Sequence, residues 1–535
     1  MHEMVLLCLG LILSVSFLVL LARKLKIPYP VFLVLAGLLL SFIPRIPVIH
    51  IDPDLIFFVI LPPILFDAAQ NTSWKALWKW RRIVSFMALG FVLLTATAVA
   101  FISVWLIPGF TLAHGFLLGA IISPPDAAAA TAVLQYVKLP KAIVSILEGE
   151  SLLNDATSLT LFRFALAAIV SSNFGFYQAV GGFFIVVISG IAIGLIFGLA
   201  FYLIYKYLPT NSNLDIALSL VLPYLIYFTA EELHSSGVLA VVSGGLYIAY
   251  QNHFIFGHTS RLKSNAIWPA IIFILNAVIF FTIGLQLPGI ISGIQTIPVY
   301  QAFGIAAVIT LVIIIVRIMA VYFSSRFTRF ISKYITVAQA RPGWRNPLII
   351  GWAGMRGVVS LASALSIPLL LPDGRDFPYR NLILFITFIA IIVTLVGQGL
   401  ALPWIIRKIK PEKIGNEKAD DDQVIDIDFH LNTAALTELQ ANYATELGEN
   451  EMLSNRMELT AYKVKLYTES GSDPEKRAAA MKKINRFKKI MVKVTEHERK
   501  MLHRFRNKEG YDDDIIRLVE RRLDLEEERL EEEDL

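Results

Sequence analysis

Cysteine and charge are both scarce in this sequence. Its single cysteine, Cys8, excludes an intramolecular disulfide and a zinc site built from thiolates. Only 17% of the 535 residues are charged and 56% are hydrophobic, whereas soluble domains average about 25% charged residues. This balance predicts a chain that lies largely within a lipid bilayer.

The shortage of charge is confined to one part of the chain. Residues 1–415 contain 27 Lys and Arg but 14 Asp and Glu, whereas residues 416–535 contain 21 and 29. We therefore predict a transmembrane domain at residues 1–412 and a helical cytoplasmic tail at residues 413–535. The basic excess of the first part lies in short loops, which is typical of membrane topology rather than of nucleic-acid binding, and no nucleic-acid partner is expected.

Apolar segments of spanning length recur through the first part, bounded by Gly, Pro and charged residues. They predict about thirteen transmembrane helices, near residues 4–21, 28–43, 53–70, 84–107, 112–136, 143–170, 178–207, 213–232, 236–250, 266–287, 298–325, 347–371 and 381–406. Most loop Lys and Arg residues follow odd-numbered spans, which places those loops and the tail in the cytoplasm. We expect a multi-pass protein of the cell membrane whose N-terminus lies outside and whose first span is retained rather than cleaved.

Two of the predicted spans contain sequences that break helices. The fifth holds Ser123-Pro-Pro-Asp126, and the twelfth holds Gly354-Met-Arg-Gly357. Helix breaks at corresponding positions of two halves indicate inverted repeats and a binding site near the membrane midplane. The expected fold is an all-α polytopic membrane protein with inverted repeats and broken helices.

Two acidic residues, Asp126 and Asp155, lie where a membrane-spanning chain should avoid charge. A charge at the centre of a membrane helix costs about 2.5–3.5 kcal/mol on the lenient insertion scale. Asp126 follows two prolines at the start of a half-helix, where the helix dipole stabilises its carboxylate, whereas the buried middle of a helix gives Asp155 no such help. Asp155 then holds a proton until a sodium-sized cation replaces it, which predicts a cation/proton exchange site. The alternative is a structural polar network between helices.

The polar neighbours of these two carboxylates each have two interpretations. On a helix, Ser151 and Asn154 share the side of Asp155 and offer neutral oxygen ligands to a cation. Alternatively, Ser151 eases helix packing and Asn154 forms an interhelical hydrogen bond. Ser123 and Asp67 are further candidates for the ion path, although a position at the cytoplasmic interface explains Asp67 equally well.

Buried Glu150 and Arg356 are predicted to form an ion pair, because neither charge persists unpaired inside a membrane. We interpret this pair as architectural, holding the twelfth span against the sixth, and a direct role of Glu150 as a cation ligand is the alternative. Arg317 is interpreted as a residue whose side chain reaches the membrane interface.

These motifs resemble the monovalent cation/proton antiporter family, specifically the bacterial form of its sodium/proton exchanger branch. The resemblance covers roughly residues 5–410. It rests on four segments, Leu61-Pro-Pro-Ile-Leu-Phe-Asp67, Ser123-Pro-Pro-Asp126, Gly149-Glu-Ser-Leu-Leu-Asn-Asp155 and Gly354-Met-Arg-Gly-Val-Val-Ser-Leu-Ala362. It implies the sodium/proton antiporter fold with broken, crossing helices, a homodimer, and an elevator-like movement of a core domain against a dimer domain.

The resemblance also assigns roles to individual residues. It implies an essential, ion-carrying Asp155 with Asp126 and Ser151 near the ion, and it implies the structural pair of Glu150 with Arg356. Asn154 directly before Asp155 implies electroneutral exchange of one cation for one proton. The chain departs from the family pattern at two positions, since Pro125 stands where relatives often have Thr, and Asp67 where many have Glu.

The sequence therefore predicts a secondary active transporter, not an enzyme. It would exchange Na⁺, or else Li⁺ or K⁺, for H⁺ without a cofactor, and would serve pH homeostasis. An intramembrane aspartyl protease also uses two Asp residues, but Asp126 and Asp155 lie outside the Tyr-Asp and Gly-x-Gly-Asp settings associated with such enzymes. A membrane ion or pH sensor with the tail as output module is the second alternative, although residues 416–535 carry no nucleotide-binding or catalytic signature.

Overall fold

Tertiary contacts divide the chain into two compact units, Met1–Gly415 and Asn416–Leu535. The computed structural model describes residues 2–43, 53–134, 137, 139–171, 176–294, 297–331, 343–412, 420–470, 474–505 and 511–532. These residues are helical or irregular, apart from one isolated antiparallel bridge between Leu370 and Asp376. The predicted boundary between the transmembrane domain and the tail, after residue 412, is followed by residues 413–419, which lie outside the described residues.

The first unit is built from helices. Those of its first part are α1 (His2–Leu25), α2 (Tyr29–Leu40), α3 (Leu61–Asn71), α4 (Trp74–Ser85), α5 (Val92–Leu106), α6 (Leu112–Ile122), α7 (Ala127–Leu134) and α8 (Lys141–Ser171). Those of its second part are α9 (Phe176–Tyr207), α10 (Ser212–Glu232), α11 (Gly237–Ile255), α12 (His258–Leu285), α13 (Leu287–Ser292), α14 (Val299–Ile331), α15 (Arg345–Trp352), α16 (Val358–Leu365), α17 (Arg380–Ile392) and α18 (Gly399–Ile409). The described residues also form three π-helical turns. Leu55–Ile60 continues into α3, Phe86–Phe91 joins α4 to α5, and Val393–Gln398 joins α17 to α18.

Each predicted span falls on one helix or on two helices that a break or a π-turn connects. Within the described residues, seven continuous helices are long and apolar enough to cross a membrane by length and composition. The remaining predicted spans correspond to shorter or broken helices, so the all-helical membrane fold is confirmed and the count of thirteen spans stays a prediction.

Polar side chains fix where several of these helices begin. Ser73 accepts a hydrogen bond from the backbone of α4, Thr111 from that of α6, and Ser236 from that of α11. Asn211 accepts two at the start of α10. Such caps satisfy backbone N–H groups that have no partner within the helix.

Two apolar clusters form the interior of the first unit. The larger one joins α2, α5, α6 and α14 with α15 to α18 and both ends of α8, and the smaller one joins α3, α9, α10 and α11. The middle of α8 contributes Leu152 and Ala156 to the smaller cluster. The segment that carries Asp155 therefore lies where the two clusters meet.

The second unit is a set of packed helices. It contains α19 (Asp420–Asn442), α20 (Ala444–Glu449), α21 (Glu451–Ser470), α22 (Pro474–Phe505) and α23 (Asp513–Glu532). α19 contacts α21, and α22 contacts α23. Arg499 of α22 bridges to Asp524 at 2.8 Å and to Glu527 at 2.5 Å, so charge as well as apolar contact joins the last two helices.

Candidate ion-binding site

Two helix breaks meet inside the first unit. One lies between α6 and α7 at residues 123–126, and the other lies between α15 and α16 at residues 353–357. The backbone N–H of Asp126 donates to the carbonyl oxygen of Met355 at 2.7 Å. A Cβ added to Gly357 would overlap the Asp126 carboxylate, so that side chain passes directly against the second break.

At the crossing, an acidic residue lies at the N-terminal ends of two helices and a basic residue lies at the C-terminal ends of two others. Asp126 lies at the N-terminal ends of α7 and α16, and its Oδ1 accepts from the backbone N–H of Ala129 at 3.4 Å. Arg356 lies at the C-terminal ends of α6 and α15, where Nε donates to the Ile122 carbonyl at 2.7 Å and Nη1 donates to the Gly354 carbonyl. Helix N-termini attract negative charge and C-termini attract positive charge. The partial charges of the helix ends at the crossing are therefore compensated by Asp126 and Arg356.

α8 is tied to the first break through Asn154. This residue is fully buried, and its Nδ2 donates to the carbonyl oxygen of Pro125 at 3.1 Å. The structure thus places Asn154 in the interhelical bond that was one of its two interpretations. Its Oδ1 is buried and has no hydrogen-bond partner in the described part of the chain.

A cavity of about 510 Å³ lies beside the crossing. Four predicted site residues line it, namely Asp67, Asp126, Ser151 and Asp155. Asp155 is 7% exposed. Asn154 does not line the cavity, and neither does Ser123, whose hydroxyl donates to the Ala120 carbonyl at 3.2 Å.

The cavity has further polar walls that the sequence prediction missed. Glu148 and Asn276 line it, and so does Arg23 from the last turn of α1. Glu148 lies seven residues before Asp155, hence on the same helical face, and this spacing could have identified it. The amide of Asn276 lies in a long apolar run of α12, which is a weaker signal.

The predicted ion pair of Glu150 with Arg356 is wrong as a direct contact. Arg317 of α14 binds Glu150 instead, with Nη1 donating to Oε1 at 2.7 Å and Nη2 donating to Oε2 at 2.8 Å. Arg356 donates instead to the carbonyl oxygens of Ile122 and Gly354 at the helix ends. Arg317 is 3% exposed, so its interpretation as an interfacial residue is also wrong. Glu150 does not line the cavity, and α8 therefore uses one face for the cavity and another for this pair.

A comparison with protein-family models gives a match to residues 11–408 by the transmembrane sodium/hydrogen exchangers. The chain belongs to the sodium/hydrogen exchanger family. It is thus a multi-pass membrane protein of a transporter family, which confirms the resemblance drawn from the four sequence segments.

Individual relatives agree with this membership. The chain is 35% identical over 386 residues to the sodium, potassium, lithium and rubidium/H⁺ antiporter of Bacillus subtilis, an alignment that covers 70% of this chain and 57% of that protein. The chain thus spans less than two thirds of the length of this relative. It is also 31% identical over 518 residues to an uncharacterized Na⁺/H⁺ exchanger of Mycobacterium bovis, covering 95% of this chain and 93% of the other.

A solved structure supports the fold. The sodium proton antiporter MjNhaP1 of Methanocaldococcus jannaschii matches with a TM-score of 0.59 and 21% identity, over 78% of this chain and 100% of that chain. At this level of identity the likeness concerns the fold. The predicted sodium/proton antiporter fold is confirmed.

Proposed function

We propose that this protein exchanges a monovalent cation for H⁺ across the cell membrane and thereby serves pH homeostasis. Na⁺ is the expected cation, with Li⁺ and K⁺ as alternatives. The observation that carries the proposal is that Asp126 and Asp155 line one cavity beside two crossing helix breaks. Within the described residues, no Lys or Arg forms an ion pair with the Asp155 carboxylate, which leaves this carboxylate for a proton or a cation.

Exchange follows from competition for a single carboxylate. The protonated carboxyl of Asp155 is neutral, and so is the carboxylate that binds one alkali cation, whereas the ionised acid alone is costly to bury. When a cation binds, the proton leaves to water, and the reverse step restores the carboxyl. Ser151 on the same wall offers a neutral hydroxyl oxygen, and Asp126 adds negative charge next to the helix N-termini.

One switching carboxylate makes the exchange electroneutral. The residue before Asp155 is an amide, Asn154, and its Nδ2 is engaged by the Pro125 carbonyl. It therefore adds no second titrating group, and one cation exchanges for one proton. The substrates are the two ions, and no cofactor takes part.

The cavity walls support alternating access by an elevator-like movement. One wall is formed by α1, α2, α3 and α12, and the other by the first helix break, α7, α8 and the start of α16. The cavity extends from Asp126 and Asp155 to Arg23 and Asn71, at the ends of α1 and α3 that lead into the predicted cytoplasmic loops. With those loops and the tail in the cytoplasm and the N-terminus outside, this is an inward-facing state. A homodimer would hold one wall still while the other moves.

Purified protein in proteoliposomes tests the proposal. With an imposed pH gradient, addition of Na⁺, Li⁺ or K⁺ should dissipate the gradient, and Asp155→Asn should abolish the response. Asp373→Asn is the matched control, because Asp373 lies in an exposed turn and pairs there with Arg375. Absence of a response to every alkali cation would overturn the function, and full activity of Asp155→Asn would remove Asp155 from the mechanism.

A further inference from the structure

A second cavity, apart from the candidate ion site, contains a buried acid. It has a volume of about 480 Å³ and lies between the loop from α9 to α10 and the loop from α11 to α12. Its lining includes Tyr205, Asp215 and Ser260, and it shares no lining residue with the first cavity. Both loops follow odd-numbered predicted spans, on the side assigned to the cytoplasm.

Asp215 in the first turn of α10 is only half satisfied. It is 6% exposed, and its Oδ2 accepts from the Ser260 hydroxyl at 2.6 Å. Its Oδ1 has no hydrogen-bond partner among the described residues. The N-terminus of α10 does not need this acid as a cap, because Asn211 Oδ1 already accepts from the N–H groups of Asn213 and Leu214 at 3.1 and 2.9 Å.

Lys263 and Arg261 of the neighbouring turn are engaged elsewhere. Lys263 Nζ donates to Ser212 at 2.9 Å and to Asn213 at 2.8 Å, and Arg261 donates to the Phe256 carbonyl at 2.5 Å. No ion pair to Asp215 exists in the part of the chain that the structure describes. A buried carboxylate without a counter-charge is unfavourable, so this one needs a small positive partner.

Tyr205 supplies a second unsatisfied oxygen. It is 5% exposed, its ring packs against that of Phe256 with centroids 4.7 Å apart, and its hydroxyl has no hydrogen-bond partner within the described ranges. Carboxylate and hydroxyl oxygens suit hard cations. A single carboxylate neutralises one positive charge, whereas a divalent ion would leave excess charge buried. The chemistry favours an alkali cation.

We propose that Asp215, Tyr205 and Ser260 bind a monovalent alkali cation at a second site outside the exchange cavity. The cation would bridge α9 and α10 and keep the Ser260 end of α12 in contact with them. It would therefore stabilise the helices of the smaller apolar cluster rather than travel with the exchanged ion.

Cation-dependent melting of purified full-length protein tests this site. The melting temperature is measured against NaCl and KCl, with choline chloride at equal ionic strength as reference, for Asp155→Asn and for Asp155→Asn combined with Asp215→Asn. We expect a saturable rise in the first variant that exceeds the choline reference, and loss of that rise in the second. Tyr205→Phe in the Asp155→Asn background should raise the half-saturating cation concentration about fivefold, as expected for one lost ligand oxygen.

Two outcomes would overturn the second site. One is a melting temperature of Asp155→Asn that responds to alkali chloride no more than to choline chloride. The other is a response to alkali chloride that neither Asp215→Asn nor Tyr205→Phe changes. If one of these two variants folds poorly, an unchanged response in the other decides. The readout is binding, so it is independent of whether the protein exchanges ions, and failure of the proposed function would appear only in the proteoliposome assay.

Discussion

The guanidinium of Arg317 holds the carboxylate of Glu150 by two parallel hydrogen bonds, at 2.7 and 2.8 Å. Both side chains are buried. A Cβ added to Gly354 would overlap the Arg317 side chain, and the Gly354 carbonyl oxygen accepts from Nη1 of Arg356. Two buried guanidinium groups thus lie beside Gly354, and the one of Arg317 pairs with Glu150. The arrangement joins α8 to α14 next to the second helix break and depends on the single negative charge of Glu150.

Glu150→Gln should therefore destabilise the protein strongly. Removing one partner of a buried pair typically costs about 3–5 kcal/mol, because the other charge remains buried, and here the charge of Arg317 would be left without its carboxylate partner. The melting temperature in detergent measures the effect. Arg345→Ala is the control, since its guanidinium makes a partly exposed contact of 3.9 Å to Glu412 and a hydrogen bond of 3.5 Å to the Lys410 carbonyl, and exposed ion pairs contribute about 0–1 kcal/mol. Equal losses in the two variants would contradict the buried pair's role.

Sequence reasoning recovered the fold and the two breaks because prolines, glycines and apolar length leave local signals. It placed Asp126 and Asp155 near each other because charge in a membrane helix is rare. It failed for the partner of Glu150, because an arginine in a membrane span can either reach the interface, as expected for Arg317, or stay buried, and only three-dimensional packing decides between the two. Arg356 donates to carbonyl oxygens at helix ends, and no residue pattern in the sequence predicts which carbonyl oxygens a helix break leaves unpaired.

Competition at Asp155 predicts how the apparent affinity for the cation depends on pH. In the acidic range, where the carboxyl holds its proton, the apparent KM for Na⁺ should rise about tenfold for each unit that the pH falls, because one proton must leave for each cation bound. Vmax at saturating Na⁺ should change little over the same range. Initial rates in proteoliposomes at several pH values give both quantities. A KM that is constant with pH is incompatible with a shared site.

Glu148 should act on cation entry rather than on exchange itself. It shares the cavity wall with Asp155, and a negative wall raises the local concentration of cations. Glu148→Gln should raise the KM for Na⁺ about two- to fivefold with Vmax unchanged, and the difference should shrink at high ionic strength. Asp373→Asn again serves as the control. A fall in Vmax with unchanged KM would assign Glu148 to the chemistry of exchange instead.

A chain that ends at Gly415 should retain exchange. The first unit makes its own internal contacts and contains both cavities, so the residues of the proposed mechanism remain in place. We expect a clear response to Na⁺ in proteoliposomes, whatever the tail does to its rate or pH dependence. If the shortened protein folds, as judged by a single monodisperse peak, yet shows no exchange, a role of the tail in the transport cycle or the sensor interpretation gains support.

Gly357→Ala should abolish most of the exchange while leaving the protein folded. The added Cβ would occupy the position of the Asp126 carboxylate, and one of the two must shift. A displacement of this size at a site that depends on geometry is expected to lower the rate about 10- to 100-fold. Gly304→Ala and Gly397→Ala are matched controls, because a Cβ at either position meets no other atom within 4 Å. Initial exchange rates and melting temperatures of the three variants separate a loss of exchange from a loss of stability. Wild-type exchange in Gly357→Ala would mean that the contact between Asp126 and the second break is not needed for transport.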